Sequence, residues 1–471
     1  MNNTVKFDLP GSNRFPISPF FRQGLQIDTA ARQYLIDRGS GIVNLPPEIQ
    51  RLACHFQRIA VLFNPREIMI SGENAVLTQT VSDFAREFYR LKPLPIVTGN
   101  VAVVEDFKAP VQPIAKLRTY FDRQKITHVV GIDLGATNLK GAIARLGDME
   151  NFTKINARSS QGASNVQGLI ERIATYAESI IRSKGLRPEQ AIVSIISPGP
   201  LNSQTGVLGD LVNFPFKTKD TPLVEWLEKR LNTTVILTND ADGAAMAHVG
   251  DSFTFTWGTG IGAGINIDGR LYEGSEAGHL DLSDFSYLMH MYGNSRLYAS
   301  YDQIMRRCGC GSMTDLEAWC GSQGLVRRWA LLRNMKNLAL INMLSPRDIG
   351  LAAQNGNEHA NQVLEGAAML AAQAMRWIYF YTGIKQFYYV GNVAGRDPEA
   401  PTGERLIEMT RKSLSNLMIT AIIYLEPPFL LDINGGELKV DLGEPDAGLI
   451  GALKIGEGFF YGETAGGGIR A

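Results

Sequence analysis

Apolar residues return along this chain at two spacings. From residue 129 onward, short apolar runs alternate with longer stretches in which they recur every three or four positions. Runs 129–132 and 140–144 predict strands on either side of a tight turn. The stretch 166–181 places Leu169, Ile170, Ile173, Ala174, Ala177 and Ile180 on one face, which predicts an amphipathic helix. Residues 191–196 form a short apolar strand stopped by S-P-G-P at 197–200. Run 234–237 is a similar strand leading into Thr238, Asn239 and Asp240, after which 241–248 reads as helix. Strands 252–257 and 262–267 enclose G-T-G-I-G, and 363–377 is a long apolar helix. A helix ends near Tyr381, a strand over 387–390 runs into Gly391, and a further helix starts near Glu404. Such alternation predicts α/β layers with polar loops at the strand ends, where open sheets bind their ligands.

Residues 1–125 form a leader of α/β character. A helix is expected over 47–63, with Ile49, Leu52, Ala53, Phe56, Ile59 and Ala60 on one face. N-P-R-E-I-M-I-S-G then reads as turn, buried strand and glycine stop. A second helix over 78–91 carries Val81, Phe84, Ala85 and Phe88. This helix–strand–helix order echoes the region around 381–404, and we read the echo as general α/β likeness rather than a duplicated lobe.

At 471 residues the chain has room for two or three domains. With 45% hydrophobic and 20% charged residues it reads as globular, and a net charge of −1 argues against a surface that coats nucleic acid. The leader's Arg51, Arg58, Arg66, Arg86 and Lys92 are scattered rather than gathered on one helix, so no helix-turn-helix is expected. No apolar run is long enough to span a membrane, and M-N-N-T-V-K-F-D-L-P lacks a signal-peptide core. Four cysteines in so long a chain do not make a disulfide framework, and a reducing cytoplasm is the expected compartment. Cys308, Cys310 and Cys320 fall close together, which suggests a metal site or packing.

The candidate chemistry sits in the turns. D-L-G-A-T holds Asp133, Gly135 and Thr137: glycine permits the tight backbone, the hydroxyl and N–H groups can face a phosphate, and the carboxylate can hold a hydrated Mg²⁺. G-T-G-I-G-A-G, with Gly258, Thr259 and Gly260, is a second turn of the same make-up, and a pair of such turns would grip a polyphosphate. A polar hairpin turn reads the same way at either place. Asp240, at a strand–helix junction, can accept a hydroxyl proton during phosphoryl transfer. Asn and Asp are also the favoured helix caps, so capping by Asn239 or Asp242 is compatible with that role. E-A-G-H supplies Glu276 and His279, donors and acceptors suited to a sugar.

In this order, D-L-G-A-T, S-P-G-P, N-D-A-D, G-T-G-I-G-A-G, E-A-G-H and C-G-C-G-S-M-T-D-L-E resemble the ROK family of sugar kinases and related repressors over residues 127–460. The resemblance implies a two-lobed actin-like ATPase (RNase H-like) fold with an N-terminal extension. The expected division is 1–125 for the extension, 126–240 for a small nucleotide-binding lobe and 241–471 for a large lobe, with a cleft between the lobes and the C-terminal helix returning to the small one. It implies ATP-dependent phosphorylation of a hexose or N-acylhexosamine, with ATP and Mg²⁺ as cofactors. The alternative is a sugar-responsive transcriptional regulator or a non-catalytic sugar-binding protein. Small-molecule sugar and nucleotide are the expected partners, nucleic acid and membrane are not, and homodimers are common in the family.

By the same resemblance Asp133, Gly135, Thr137, Gly258, Thr259, Gly260 and Gly391 face the nucleotide. Asp240 is implied as the base, and Asn213, Asn239, Glu276, His279 and Glu317 hold the sugar. The 448–452 stretch matches a C-terminal element. The family's zinc pattern, the E-x-G-H histidine with three cysteines of C-x-C-G-x-x-G-C, is altered here. Cys308 and Cys310 match, but Asp315 stands at the third cysteine and Thr314 at the glycine. The interval from His279 to Cys308 is also long, filled by the aromatic-rich D-F-S-Y-L-M-H-M-Y-G. Because zinc accepts carboxylate oxygen, His279, Cys308, Cys310 and Asp315 form the candidate zinc set, with Cys320 a further candidate and a lost site the alternative.

Overall fold

The computed structural model describes residues 4–8, 58, 61–62, 67–71, 96–98, 125–135, 137–211, 214–267, 269–280, 282, 308, 315–394, 402–423 and 438–461. The chain divides into two compact units. The first comprises Met1–Pro110, Trp257–Ile261 and Ser275–Leu442; the second comprises Val111–Thr256, Gly262–Gly274 and Gly443–Ala471. In this division residues 241–256, 262–274 and 443–471 group with residues 111–240.

In the first unit, β1 (Thr4–Asp8), β2 (Glu67–Ser71) and β3 (Ile96–Thr98) pair in parallel, in that order. The strand expected in N-P-R-E-I-M-I-S-G is β2. Of the leader helix over 47–63 only Arg58, Val61 and Leu62 are described, and they are helical; the helix over 78–91 lies outside the described residues.

The second unit is built on a sheet of order β10-β7-β4-β5-β6. Its strands are β4 (His128–Leu134), β5 (Asn138–Arg145), β6 (Asp148–Ser159), β7 (Ala191–Ser197) and β10 (Val235–Asn239). Strands β4, β7 and β10 are parallel; β5 and β6 run antiparallel. Every residue of β7 is buried, Ser194 and Ser197 included, as befits a strand inside a largely parallel sheet. Two short strands, β8 (Leu201–Asn202) and β9 (Val207–Leu208), form a hairpin after the S-P-G-P loop.

Helix α1 (Val166–Arg182) starts at Asn165, whose side chain accepts the Gly168 N–H at 2.8 Å. Its apolar face lies on the sheet, and all six residues that the spacing assigned to that face are buried. Gly141 of β5 makes room for it: a Cβ there would lie 2.5 Å from Ile180 Cδ1. Helix α2 (Leu223–Leu231) buries Leu223, Val224, Leu227 and Leu231 in the same core.

Helix α3 (Asp240–Met246) follows β10 directly, and β11 (Ser252–Trp257), β12 (Ile261–Ile267) and β13 (Arg270–Tyr272) come next, β12 and β13 antiparallel. Further along, α4 (Leu316–Cys320), α5 (Ser322–Leu332), α6 (Glu358–Thr382) and α7 (Thr402–Ile423) belong to the first unit, with β14 (Gln386–Val390) parallel to β15 (Lys439–Leu442). Helix α6 extends the apolar stretch 363–377 at both ends, from the Asn357 cap to Gly383 at φ 74°. Among the described residues no helix is long and apolar enough to cross a membrane.

The last helix, α8 (Ala447–Tyr461), packs on α3 and β4 of the second unit through small residues. A Cβ on Gly451 would fall on the Gly243 carbonyl, and one on Gly456 would strike the Val129 side chain. Just beyond α3, buried His248 pairs Nδ1 with Thr254 Oγ1 at 3.0 Å, and its Nε2 accepts the Glu444 N–H at 3.4 Å. Burial, helped by the positive charge of Lys454, pushes the His248 pKa from 6.5 down to about 4.

Two outcomes follow for stability. The Gly451→Ala variant gains about 1 kcal/mol of helix propensity but must push two backbones apart, so it should lose about 3 kcal/mol or more net. An unchanged urea midpoint would contradict that packing. The neutral His248 ring stabilises the fold fully above its unfolded pKa of 6.5, and that contribution is lost as pH falls toward about 4. The full span is worth about 3 kcal/mol. His248→Gln should therefore flatten the fall in urea midpoint between those two pH values.

Candidate functional site

In the second unit, three neighbouring parallel strands end on one edge. In register, Asp133 of β4 lies beside Ile196 of β7, and Ser197 of β7 beside Asn239 of β10. The carboxyl ends of β4, β7 and β10 thus bring Asp133, the S-P-G-P loop and the Asn239–Asp240 junction together, the place where open α/β sheets present ligand groups. Asn239 caps α3: its Oδ1 accepts the Ala241 N–H at 2.9 Å, and its Nδ2 donates to the Gly199 carbonyl at 3.4 Å. Asp240 Oδ1 also accepts the Ala241 N–H, at 2.9 Å. Asn239 is therefore the cap, and Asp242 is not: it is buried, with Oδ2 3.4 Å from the Gly274 N–H.

The first glycine turn closes a hairpin. Gly135 donates its N–H to the Asn138 carbonyl at 3.0 Å, and a Cβ would lie 2.9 Å from that oxygen. Ser160 braces the turn, Oγ to the Gly135 carbonyl at 2.7 Å and N–H to the Thr137 carbonyl at 3.0 Å. Gly135 thus spends its own N–H internally, while Thr137 and Asn138 are exposed. Asp133 faces Lys140 across the hairpin, Oδ2 to Nζ 3.5 Å. Burial raises the Asp133 pKa, and the Lys140 charge pulls it partly back. A Cβ on Gly448 would lie 3.6 Å from Asp133 Oδ2, so the opening of α8 sits against this carboxylate.

The second glycine turn divides its glycines between two tasks. Gly262 and Gly264 seat β12 against α3, where a Cβ would meet Ala241. Gly258 and Gly260, in the first unit, shape the turn itself: Gly258 N–H donates to the Gly260 carbonyl at 2.9 Å, and Ser322 N–H to the Gly258 carbonyl at 3.2 Å. Gly260 lies against the Glu317 carboxylate, whose Oε2 accepts the Ile261 N–H at 2.8 Å. Gly391, at φ 107°, rests on the same strand end; a Cβ there would lie 2.6 Å from the Trp257 carbonyl, which also accepts the Val393 N–H at 2.9 Å. Gly258, Thr259, Gly260, Gly391 and Glu317 are thus brought together.

Glu317 leads into a second cluster. Its Oε1 lies 3.1 Å from Cys308 Sγ, and Cys308 Sγ lies 3.3 Å from His279 Nδ1. Buried Asp315 places Oδ2 3.3 Å from the same Nδ1, while its Oδ1 caps α4 by accepting the Ala318 N–H at 2.7 Å. His279 Nε2 lies 3.7 Å from Glu276 Oε2, and Glu276 is tied by its N–H to the Val61 carbonyl of the leader at 2.6 Å. The glycine of E-A-G-H is required because a Cβ on Gly278 would fall on the Ile261 carbonyl. His279, Cys308 and Glu317 each bring one metal-ligating atom within 4.8 Å of the others. Of the candidate zinc set, His279, Cys308 and Asp315 meet, and Cys310 lies outside the described residues, as does Asn213 of the sugar set. Cys320 is not in this cluster: its sulfur faces the Ala367 carbonyl of α6 at 3.9 Å, and burial pushes the thiol up to about 12. Its nearness to Cys308 in sequence reflects packing.

The sequence reading missed Glu273 in the second unit. Its Oε2 accepts the Ser203 hydroxyl at 2.9 Å, joining the β8–β9 hairpin to the end of β13, and burial lifts its pKa to about 6. A lone glutamate in a loop carries no signal of burial in sequence. It missed equally that Lys140 would pair with Asp133, although the hairpin register makes them neighbours.

Comparison with known proteins bears on the family and the fold. The ROK family model matches residues 129–418. A glucokinase of Pyrobaculum calidifontis is 27% identical over 203 residues, a match spanning 42% of this chain and 58% of that protein, less than two thirds of its length. An N-acetylmannosamine kinase of Citrobacter koseri is 27% identical over 281 residues, 56% of this chain and 83% of the kinase. A ROK hexokinase from Thermus thermophilus matches in structure with a TM-score of 0.51 and 25% identity, over 70% of this chain and 97% of that one. The two α/β units are of the actin-like ATPase fold seen in such structures. With more than half of its length matched by the family model, and with the ordered turns falling where described, this chain belongs to the ROK family.

Proposed function

We propose that this protein is an ATP-dependent kinase that phosphorylates a hydroxyl of a hexose or N-acylhexosamine. The observation that carries the reading is the shared strand edge, where β4, β7 and β10 set out Asp133, the S-P-G-P loop and Asp240 side by side. Phosphoryl transfer asks little covalent work of a protein and much positioning. A rigid sheet edge supplies positioning, and the α3 cap fixes the backbone that bears Asp240.

In this reading Asp240 accepts the proton of the attacking sugar hydroxyl. Asn213, Asn239, Glu276, His279 and Glu317 hold the sugar. Asp133, Gly135, Thr137, Gly258, Thr259, Gly260 and Gly391 serve the nucleotide. When bound, Mg²⁺ neutralises charge on the phosphoryl group. Asp133 is its candidate holder through water, since a carboxylate that pays a desolvation cost gains from a nearby cation. Relatives named as glucokinase and N-acetylmannosamine kinase support both a hexose and an N-acylhexosamine as acceptor.

The test is ADP release from ATP and Mg²⁺ with glucose, N-acetylmannosamine and fructose in turn. Turnover with at least one is expected, and none with any would end the kinase reading. Asp240→Asn should keep sugar affinity while kcat drops by about 10² to 10⁴. A near-normal kcat in that variant would remove Asp240 from its role.

A further inference from the structure

The turn that carries Glu276 has little to hold it by itself. It is a single short 3-10 turn, Ala277–His279, with Glu276 at its head. So short a piece has no stability apart from its neighbours. Three neighbours within the first unit fix its backbone. Gly278 lies on the Ile261 carbonyl, and the Leu280 carbonyl accepts the Leu316 N–H at 3.0 Å. The third is the leader, where the Val61 carbonyl accepts the Glu276 N–H at 2.6 Å. The sequence prepares that acceptor. In an α-helix the carbonyl of residue 61 takes the N–H of residue 65, and residue 65 is a proline, which has none. A helix carbonyl left without its own donor takes one from outside the helix.

The leader is pinned at the same place. Arg58, Val61 and Leu62, spaced to share one helix face, are all buried. The Arg58 guanidinium lies 4.4 Å from the centre of the Trp377 ring of α6. A charge withdrawn from water is costly unless its surroundings compensate it, and the face of an indole is one group that does so. The Glu276 side chain, in contrast, is exposed. Its backbone is clamped while its carboxylate is presented. Arg58, Val61 and Leu62 all lie outside the stretch 129–418 that the ROK family model matches.

We infer that the leader takes part in sugar recognition: its helix sets Glu276 through the Val61 carbonyl, and Arg58 is a positioning residue that seats the helix on α6. The inference rests on the reading that Glu276 holds the sugar. A positioning group displaced by about 1 Å loses much of its effect, so the strut matters although it touches no sugar.

Hydrogen exchange of the full-length protein, read by mass spectrometry on overlapping peptides, tests the strut. In the wild type the Glu276 amide should exchange roughly 100-fold more slowly than an open amide, and exchange at the open rate would overturn the inference. Arg58→Ala should speed that amide by roughly 10-fold or more while peptides of β7 keep their rate. Arg58→Lys, which keeps a cation over the ring, should stay within about 3-fold of the wild type. If Arg58→Ala does not fold, Trp377→Phe weakens the same contact without emptying its place, and should shift the Glu276 amide less but in the same direction. Faster exchange across 58–62 with an unchanged Glu276 amide would overturn the inference. With glucose or N-acetylmannosamine as an accepted sugar, Arg58→Ala should raise the sugar KM by roughly 10-fold and leave the ATP KM and kcat within about 2-fold. Simple loss of folded protein lowers apparent kcat at unchanged KM, and that outcome would remove Arg58 from positioning. Exchange needs no turnover, so failure of the kinase reading and failure of the strut are told apart.

Discussion

The second unit depends on backbone meeting backbone around α3. On one side Gly451 of α8 abuts the Gly243 carbonyl; on the other Gly264 of β12 abuts the Ala241 carbonyl. Neither approach leaves space for a methyl group. At the N-terminus Asn239 closes the first turn with its side chain and holds the Gly199 carbonyl as well. A short helix of a single pair of turns has little stability of its own, since most helical stability in proteins comes from packing. Here that packing is of the least forgiving kind, because carbonyl groups cannot rotate away as side chains can. Asp240 sits at the head of this clamped element, and its position is set by glycines distant in sequence.

This explains how much of the molecule was legible beforehand. The strands and helices that the periodicity placed from residue 128 onward appear there, with ends shifted by a few residues, whereas β6, β13, β15, α2, α4 and α5 were not read from it. The shifts have local causes: β4 runs on through Asp133 and Leu134 because β5 continues to pair with both, and α6 runs past the apolar stretch to Gly383, where φ turns positive. Paired features were harder. The motif G-T-G-I-G-A-G reads as one phosphate turn, yet half of its glycines serve helix packing. Composition cannot separate a glycine needed for a turn from one needed for contact, because the partner atom lies elsewhere in the chain. Cys320 misled for the same reason, since sequence nearness to Cys308 is not nearness of sulfur atoms. The Asp133 and Asp240 positions were legible because strand ends are marked by local pattern. The roles of Glu273, Asp315 and Lys140 were not, because each is defined by a partner.

Charge is distributed in keeping with this plan. Carboxylates withdrawn from water cost free energy unless hydrogen bonds or opposite charges compensate. The protein compensates them differently at each place. Asp133 has Lys140 beside it, so burial and ion pair oppose one another. Among the described residues Glu273 has the Ser203 hydroxyl as its partner, and burial lifts its pKa to about 6. Asp315 accepts the Ala318 N–H through Oδ1 and has Oδ2 beside the His279 ring. Purely structural carboxylates would have been replaced at lower cost by apolar side chains of similar volume. Their concentration at strand ends and beside E-A-G-H therefore argues that binding, rather than folding, keeps them: ligand groups, when present, would supply the remaining compensation that the protein alone leaves incomplete.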